Sequence, residues 1–204
     1  ITAFQGRELL LTCGGDDTTI LWDHATGTHL QKFSRTGRRG LLTVASGCGV
    51  FATGASFKEE ERSTLLRVFR PLTDPSKLKY FPEKPISLTC PWVRVDDDRP
   101  DLTVISISDC GQWLVGGSSR GELHLWQVGA PDTPFRKMGV VNSPVVSVEW
   151  MSNGSNPEDG LKFLATFRNG LSCEFLLDQS GDANEIKRGE SVNVVNSILN
   201  HRGK

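Results

Sequence analysis

The stretch Ser106–Trp126, SISDCGQWLVGGSSRGELHLW, decides the fold of this 204-residue chain. It contains two short apolar runs, residues 112–116 and 122–126, which flank a turn rich in Gly and Ser. Such turn residues tolerate the backbone dihedrals that a tight hairpin requires. The stretch therefore predicts two antiparallel β-strands, the second of which carries an aromatic residue at its end.

The same pattern occurs four times along the chain. Its closing aromatic residues are Trp22, Phe69, Trp126 and Phe175, and they are separated by 47, 57 and 49 residues. Periods of this size indicate an array of stacked supersecondary units. The middle of each unit is apolar nearly throughout, as is typical of strands covered on both faces. We therefore expect antiparallel sheets of three or four strands that stack face to face.

The repeats divide the chain into four units and the beginning of a fifth. The second unit contains long insertions, and Leu78–Phe81 is a candidate for its outer strand. Ser191–Leu199 resembles the opening strand of a further unit, which predicts that the chain is a fragment of a larger array. The predicted units are residues 1–37, 38–100, 101–142, 143–190 and 191–204.

The composition favours turn-rich β structure, with 21 Gly, 10 Pro and 37% hydrophobic residues. Lys and Arg number 23 against 24 Asp and Glu, which leaves a net charge of -1. Such a balance provides no global electrostatic attraction to nucleic acid or to an acidic membrane. No apolar run approaches the ~18 residues of a membrane-spanning helix. The sequence therefore predicts a soluble protein without a membrane partner.

The five cysteines are odd in number and never occur in a C-x-x-C spacing. This pattern disfavours a zinc site and a disulfide framework. Because several of the cysteines lie within apolar strand patterns, we expect buried free thiols in a reducing compartment. The expected location is intracellular, either cytoplasmic or nuclear.

Residues 14–23 (GGDDTTILWD) and 106–117 (SISDCGQWLVGG) resemble WD repeats, the family whose units form the blades of a β-propeller. The resemblance is strong in the first and third units and covers most of residues 1–199. It implies an all-β WD-repeat β-propeller with about four four-stranded antiparallel blades and the first strand of a fifth. The structural blade positions that it implies are Asp16, Trp22, Phe69, Trp126 and Phe175.

The family's blades often contain a hydrogen-bonded set of His, Ser or Thr, Asp and Trp. Here only Trp22-Asp23 preserves the literal Trp-Asp pair, and no His occupies the expected Gly-His place. Arg120 and Asn169 stand at the turn position of the Asp in the third and fourth units. We therefore expect an incomplete polar set, and blades held together mainly by apolar packing.

In the blade geometry of the family, connections between second and third strands share one rim with the connections between blades. Charges of both signs would collect there and could steer a partner, although solvated loop charges are the alternative. Trp92 is a candidate aromatic anchor, or else a cover for a blade edge. The candidate partner-binding residues are Arg35, Arg38, Arg39, Lys58, Glu59, Glu60, Glu61, Arg62, Trp92, Asp96, Asp97, Asp98, Arg99, Arg120 and Arg168.

No catalytic motif stands out in the chain. Gly14-Gly15 and Gly116-Gly117 do not open helices, so they are read as turns rather than phosphate-binding loops. The four histidines have no regular metal-ligand spacing. We expect no enzymatic activity, no cofactor and no metal site.

A non-enzymatic scaffold that binds proteins or peptides within a multi-subunit complex is the leading hypothesis. One alternative is the sensor or targeting propeller of a multidomain signalling or ubiquitin-ligase protein. A second alternative is an RNA-binding subunit of an RNA-processing or ribosome-assembly particle, which would use Arg35, Arg38 and Arg39.

Overall fold

Four antiparallel sheets of four strands each make up the described part of the chain, and no helix occurs among those residues. The computed structural model describes residues 2–4, 7–14, 16, 18–34, 42–45, 49–55, 65–70, 81, 85–88, 102–130, 136–151, 161–177 and 183–190. The first two sheets contain β1 (Thr2–Phe4), β2 (Arg7–Cys13), β3 (Thr18–Asp23) and β4 (His29–Ser34), then β5 (Leu42–Ala45), β6 (Phe51–Ala55), β7 (Leu65–Phe69) and β8 (Ile86–Leu88). The other two contain β9 (Leu102–Ile107), β10 (Trp113–Ser118), β11 (Glu122–Gln127) and β12 (Arg136–Val140), then β13 (Val145–Met151), β14 (Leu161–Phe167), β15 (Leu171–Leu177) and β16 (Ala183–Glu190).

The strands of each sheet follow one another in chain order, and the second, third and fourth sheets meet at their first strands. Strand β9 contacts both β5 and β13, so the first strands of three consecutive sheets lie side by side. The remaining strands extend outward from them. This radial arrangement is that of blades in a β-propeller. We call β1–β4, β5–β8, β9–β12 and β13–β16 blades 1 to 4.

Apolar side chains fill the space between consecutive blades. We call the side of a blade that faces the preceding blade its leading face, and the opposite side its trailing face. Between blades 3 and 4, Val115 and Leu125 on the trailing face share a buried cluster with Phe163 and Phe175 on the leading face. Because both faces of the internal blades are buried, apolar packing carries the cohesion of the array.

Four phenylalanines fill the interface between blades 1 and 2. Phe51 and Phe69 stack with ring centroids 4.4 Å apart and an interplanar angle of 6°. Phe33 from blade 1 meets both rings edge-on, at 5.2 and 5.0 Å. Phe81 also packs edge-on against Phe51, at 4.9 Å. Such pairs contribute about 0.5–1.5 kcal/mol each beyond the area that they bury.

The position of Phe81 corrects the predicted outer strand of the second unit. The fourth strand of blade 2 is β8 at Ile86–Leu88, which pairs with β7. Of the predicted segment Leu78–Phe81, only Phe81 lies within the described residues, and it belongs to no strand. Phe81 instead inserts its fully buried ring between blades. The Gln31 amide fixes its backbone, since it donates to Phe81 O at 3.0 Å and accepts from Phe81 N at 3.1 Å. The predicted strand Ser191–Leu199 lies outside the described residues.

One hydrogen bond of the kind expected for the polar set is present in blade 1. The Trp22 indole Nε1 donates to Thr12 Oγ1 at 2.7 Å, across adjacent strands. In the turn before β3, Asp16 Oδ1 accepts from Thr18 Oγ1 at 2.8 Å. This hydrogen bond is the largest of the effects that lower the pKa of the Asp16 carboxyl. The sequence identified Trp22 and Asp16 as blade positions, but not Thr12.

The strand registers place an equivalent of the Trp22–Thr12 pair in every blade. In blade 2 the equivalent pair is Phe69 with Thr53, because Phe51 pairs with Phe69 as Leu10 pairs with Trp22. The Phe69 ring has no N–H to donate. Thr53 Oγ1 is fully buried and has no hydrogen-bond partner among the described residues. A buried hydroxyl without a partner is destabilising.

Blades 3 and 4 lack the hydroxyl altogether. Blade 3 has Trp126 with Gly116, and a Cβ on Gly116 would lie 3.0 Å from the Trp126 ring. Blade 4 has Phe175 with Ala165, both buried and apolar. The hydrogen-bonded pair is thus complete only in blade 1. Blade 2 keeps the hydroxyl but not the N–H donor, blade 3 keeps the indole but has glycine in place of the hydroxyl residue, and blade 4 has neither polar group.

Replacing Thr by Val at the two hydroxyl positions should change stability in opposite directions. Thr53→Val removes a buried hydroxyl that has no partner and keeps the side-chain shape, so the free energy of unfolding should rise by about 1 kcal/mol. Thr12→Val removes the acceptor of the Trp22 N–H and should lower it by about 0.5–1 kcal/mol. Urea unfolding monitored by tryptophan fluorescence measures both values. Changes of the same sign would contradict this assignment.

His124 on β11 is a buried strand residue at 2% exposure. Its Nε2 lies 3.5 Å from Glu122 Oε2, and Lys137 Nζ lies 2.7 Å from Glu122 Oε1. Burial lowers the pKa of His124 to about 4. The hydrogen bond and the negative charge of Glu122 raise this pKa, but by less than burial lowers it. The imidazole is therefore neutral at pH 7.

The protein should lose stability as His124 is forced to ionise. Because its folded pKa is depressed from 6.5 to about 4, its contribution is complete above pH 6.5 and is lost as the pH falls to 4. The loss attributable to this group is on the order of 3 kcal/mol. Urea unfolding between pH 7 and pH 4 should show a shallower decline for His124→Gln than for the parent chain. Parallel profiles would contradict the prediction.

Candidate functional site

Two of the predicted rim residues, Arg120 and Arg168, lie within the described part of the chain, and both are exposed. Arg120 is in the turn between β10 and β11, and Arg168 is in the corresponding turn between β14 and β15. Their partner-binding role remains a prediction. The other candidates lie outside the described residues: Arg35, Arg38, Arg39, Lys58, Glu59, Glu60, Glu61, Arg62, Trp92, Asp96, Asp97, Asp98 and Arg99.

The turn that presents Arg120 is held closed by local hydrogen bonds. Gly121 N donates to Ser118 O at 3.0 Å, and Glu122 N donates to the Ser118 hydroxyl at 3.1 Å. Gly121 has a φ of +81°, in the left-handed region where glycine is strongly favoured. Ser118 is fully buried. The Arg120 side chain therefore extends from a fixed backbone.

The turn that presents Arg168 closes in the same manner. Gly170 N donates to Phe167 O at 3.0 Å. Leu171 N donates to Asn169 Oδ1 at 3.1 Å, so the asparagine side chain serves as part of its own turn. Asn169 occupies the place of the repeat's turn Asp.

The segment Val141–Pro144, which crosses from blade 3 to blade 4, joins the two turns. At one end, Val141 N donates to Gly121 O at 3.2 Å. At the other, Arg168 N donates to Pro144 O at 2.9 Å, and Asn169 N donates to the buried Ser143 hydroxyl at 3.0 Å. We call residues 119–121, 141–144 and 168–170 the crossover sector.

Thr103 on the inner strand β9 supports the crossover sector from within. Its hydroxyl lies 2.7 Å from Val145 O and 3.1 Å from Gly117 O, and so bridges the first strand of blade 4 and the second strand of blade 3. The register of β10 with β9 shifts between Gly117 and Ser118, next to this contact. The backbone of the sector is thereby tied to both blades.

The side chains of the crossover sector make it positively charged. Arg120 and Arg168 are its charged residues, and the exposed Asn142 lies between them. The nearest acidic side chain with a described ion pair is Glu122, whose Oε1 accepts from Lys137 Nζ at 2.7 Å. The arrangement can accept negatively charged or carbonyl groups through guanidinium and amide donors.

The sequence pointed to the two arginines but missed the segment between them. Val141-Asn142-Ser143-Pro144 has a detectable signal, because Asn, Ser and Pro before an apolar run indicate a turn. That signal locates a connection between strands. The sequence does not reveal that this connection is hydrogen-bonded to the turns of both neighbouring blades.

Within the described residues, no group of three or more His, Cys, Asp or Glu side chains is placed to share a metal ion. The same part of the chain contains no helix long and apolar enough to cross a membrane. Cys173 is buried as a free thiol, as predicted, whereas Cys13 and Cys110 are free and exposed. Cys13 lies at the end of a strand and Cys110 lies in a turn. The apolar patterns of the sequence did not distinguish these two positions from the interiors of strands.

The fold can be compared with that of known proteins. No protein-family model matches the chain, and no curated protein matches it. In structure, the chain is similar to the β-propeller domain of Cps50 (Swd1) from Myceliophteria thermophila, with a TM-score of 0.60 and 15% sequence identity. The match covers 92% of this chain and 56% of that one, so the chain spans little more than half of that domain's length. This likeness supports the β-propeller fold.

Replacing Gly121 by Ala should disrupt the crossover sector. A Cβ at this position would overlap the carbonyl oxygens of Val141 and Ser143, in addition to straining the positive φ. We expect the free energy of unfolding to fall by at least ~3 kcal/mol. Gly27 is the control, because its φ is +67° but no atom lies within 4 Å of an added Cβ. Gly27→Ala should cost only about 1–2 kcal/mol. Equal losses in urea unfolding would contradict the crossover contacts.

Proposed function

We propose that this chain is part of a non-enzymatic WD-repeat scaffold that binds other proteins within a multi-subunit intracellular complex. The observation that carries the proposal is the crossover sector. Its backbone is fixed by hydrogen bonds from two blades, while Arg120, Asn142 and Arg168 are exposed. A surface whose backbone is already ordered loses little conformational entropy on binding. This suits a sector that presents side chains to a partner.

The WD-repeat character of the proposal rests on blade 1. The Trp22 N–H donates to Thr12, and the turn Asp16 accepts from Thr18. These contacts are what one would expect of a WD-type blade in which the histidine of the set is absent. The similarity to the Cps50 (Swd1) β-propeller domain is in keeping with this interpretation at the level of fold.

The proposal is tested by affinity capture of the tagged chain from its source cells, followed by quantitative mass spectrometry. We expect at least one protein to copurify in near-stoichiometric amount. Its recovery should fall at least about fivefold with the Arg120→Ala/Arg168→Ala double variant, which corresponds to about 1 kcal/mol.

Arg70→Ala serves as the matched control. Arg70 is exposed, follows the third strand of blade 2, and lies beside Gly129, which places it at the opposite end of the blades from the crossover sector. Recovery with this variant should equal that of the parent chain. Equal recovery with the double variant would contradict the use of this sector. The absence of any near-stoichiometric protein would contradict the scaffold function itself.

A further inference from the structure

We propose that two copies of this chain associate head to tail, with the trailing face of blade 4 of one copy packed against the leading face of blade 1 of the other. Between consecutive blades of the described chain, each trailing face is buried against the leading face of the next blade. The proposed interface repeats this packing between two molecules. It uses other residues than the crossover sector, so it is independent of the scaffold function proposed above.

The leading face of blade 1 is largely apolar and only half-buried. Leu10, Ile20 and Trp22 lie on it, and the first two belong to none of the buried clusters of the described residues. Their neighbours Leu9 and Leu21 point toward blade 2 from the same strands and are fully buried. Contiguous apolar surface left open to solvent is typical of an interaction site.

The trailing face of blade 4 is open in the same way. Leu164 and Leu176 lie on it, because they alternate along β14 and β15 with the buried Phe163 and Phe175 of the leading face. Both leucines are half-buried and lie outside the buried clusters of the described residues. Met151 is 43% exposed at the edge of this face. Both ends of the described array therefore present apolar side chains.

Glu174 distinguishes this trailing face from those of blades 1 to 3. It directly precedes the closing aromatic residue of its blade, and the residues at that position in the other blades are Leu21, Val68 and Leu125, each at most 1% exposed. In the register of β15 with β16 the residue opposite Glu174 is Lys187. Glu174 nevertheless forms no salt bridge with a described side chain. Covering a carboxylate with apolar surface alone is unfavourable, so a partner for this face should supply a cation.

The packing of blade 3 on blade 4 shows where Glu174 would lie in the proposed interface. There Leu125 shares a buried cluster with Cys173. Glu174 occupies the blade position of Leu125, and Ile20 occupies that of Cys173. The same packing between two copies would therefore place Glu174 against Ile20.

Lys32 supplies the cation at that point. It pairs directly with Ile20 in the register of β3 with β4, and it is exposed. Its positive charge contributes to the lowered pKa of Asp16, but as the smallest of the effects that act on this carboxyl. No salt bridge joins Lys32 to a described carboxylate. We therefore assign an ion pair between Lys32 of one copy and Glu174 of the other.

Two such interfaces would close a ring. A head-to-tail contact generates a closed ring when the rotation between copies allows it, and an open filament when it does not. Two copies contribute eight blades, and β-propellers close with about four to eight. The expected assembly is thus a dimer in which both interfaces are formed.

Sedimentation velocity of the 204-residue chain over a wide range of concentration tests the interface. We expect a monomer–dimer equilibrium without larger species. Ile20→Asp and Leu164→Asp should each weaken dimerisation at least about tenfold, because each places a carboxylate in the apolar contact. Arg70→Asp is the control, since Arg70 is exposed on blade 2, and it should leave the equilibrium unchanged. Circular dichroism should show the same β spectrum for every variant.

A charge exchange tests the ion pair. Lys32→Glu and Glu174→Lys should each weaken dimerisation about tenfold, because each brings like charges together. The double variant carries both changes in one chain, and it should recover the affinity of the parent chain to within about threefold. Such recovery is not expected if either residue acts only on the fold of its own blade.

Three outcomes would overturn the inference. A chain that stays monomeric would show that the two faces have another occupant, such as a unit that begins with the predicted strand Ser191–Leu199. Association that is insensitive to Ile20→Asp and Leu164→Asp would show that other surfaces make the contact. Failure of the double variant to recover would remove the ion pair between Lys32 and Glu174.

Discussion

The structure depends on the burial of each leading face against the trailing face of the blade before it. The leading faces contribute large rings, such as Phe69, Trp126 and Phe175, and the trailing faces contribute mostly branched aliphatic side chains. Because the blades make their contacts in sequence, the internal ones are covered on both sides. Their strands are consequently apolar on both faces, which is also what made the repeats visible in the sequence.

The decay of the polar set follows from this packing. In blade 1 the Trp22–Thr12 hydrogen bond lies on the leading face, where Leu10, Ile20 and Trp22 are only half-buried. In blades 2 to 4 the equivalent face is buried, and there the pair has lost its donor, its hydroxyl or both. A net contribution of about 1 kcal/mol from one hydrogen bond is small beside the burial of an aromatic side chain. Packing can therefore tolerate the loss of the polar contact.

The inner strands of each blade could be predicted from the sequence because they are both apolar and flanked by turn signals. The outer strand of blade 1, predicted at residues 28–33 and found at His29–Ser34, could be predicted in the same way, but the outer strands of the other blades could not. Strand β12 reads RKMGV and β16 reads ANEIKRGE, patterns that resemble exposed loops because one edge of an outermost strand has no neighbour within its sheet. In blade 2 the apolar residues near Phe81 were the stronger signal, yet that ring fills an interface, and the weaker Ile86–Leu88 forms the strand.

The candidate site was predictable only in part, for a related reason. Turn residues are exposed and free to vary, so Arg120 and Arg168 could be assigned to turns, but hydrogen bonds between distant backbones have no signature in a single sequence. The structure shows which hydrogen bonds close each turn. In blade 1 the turn position of the set holds Asp16, bound to Thr18, whereas the equivalent position of blade 3 holds Arg120 in a turn closed instead by Ser118 and Gly121. Backbone and serine contacts thus maintain that turn in place of an aspartate. The turn position that holds an acidic residue in blade 1 therefore holds an exposed basic residue in blade 3, without loss of the turn.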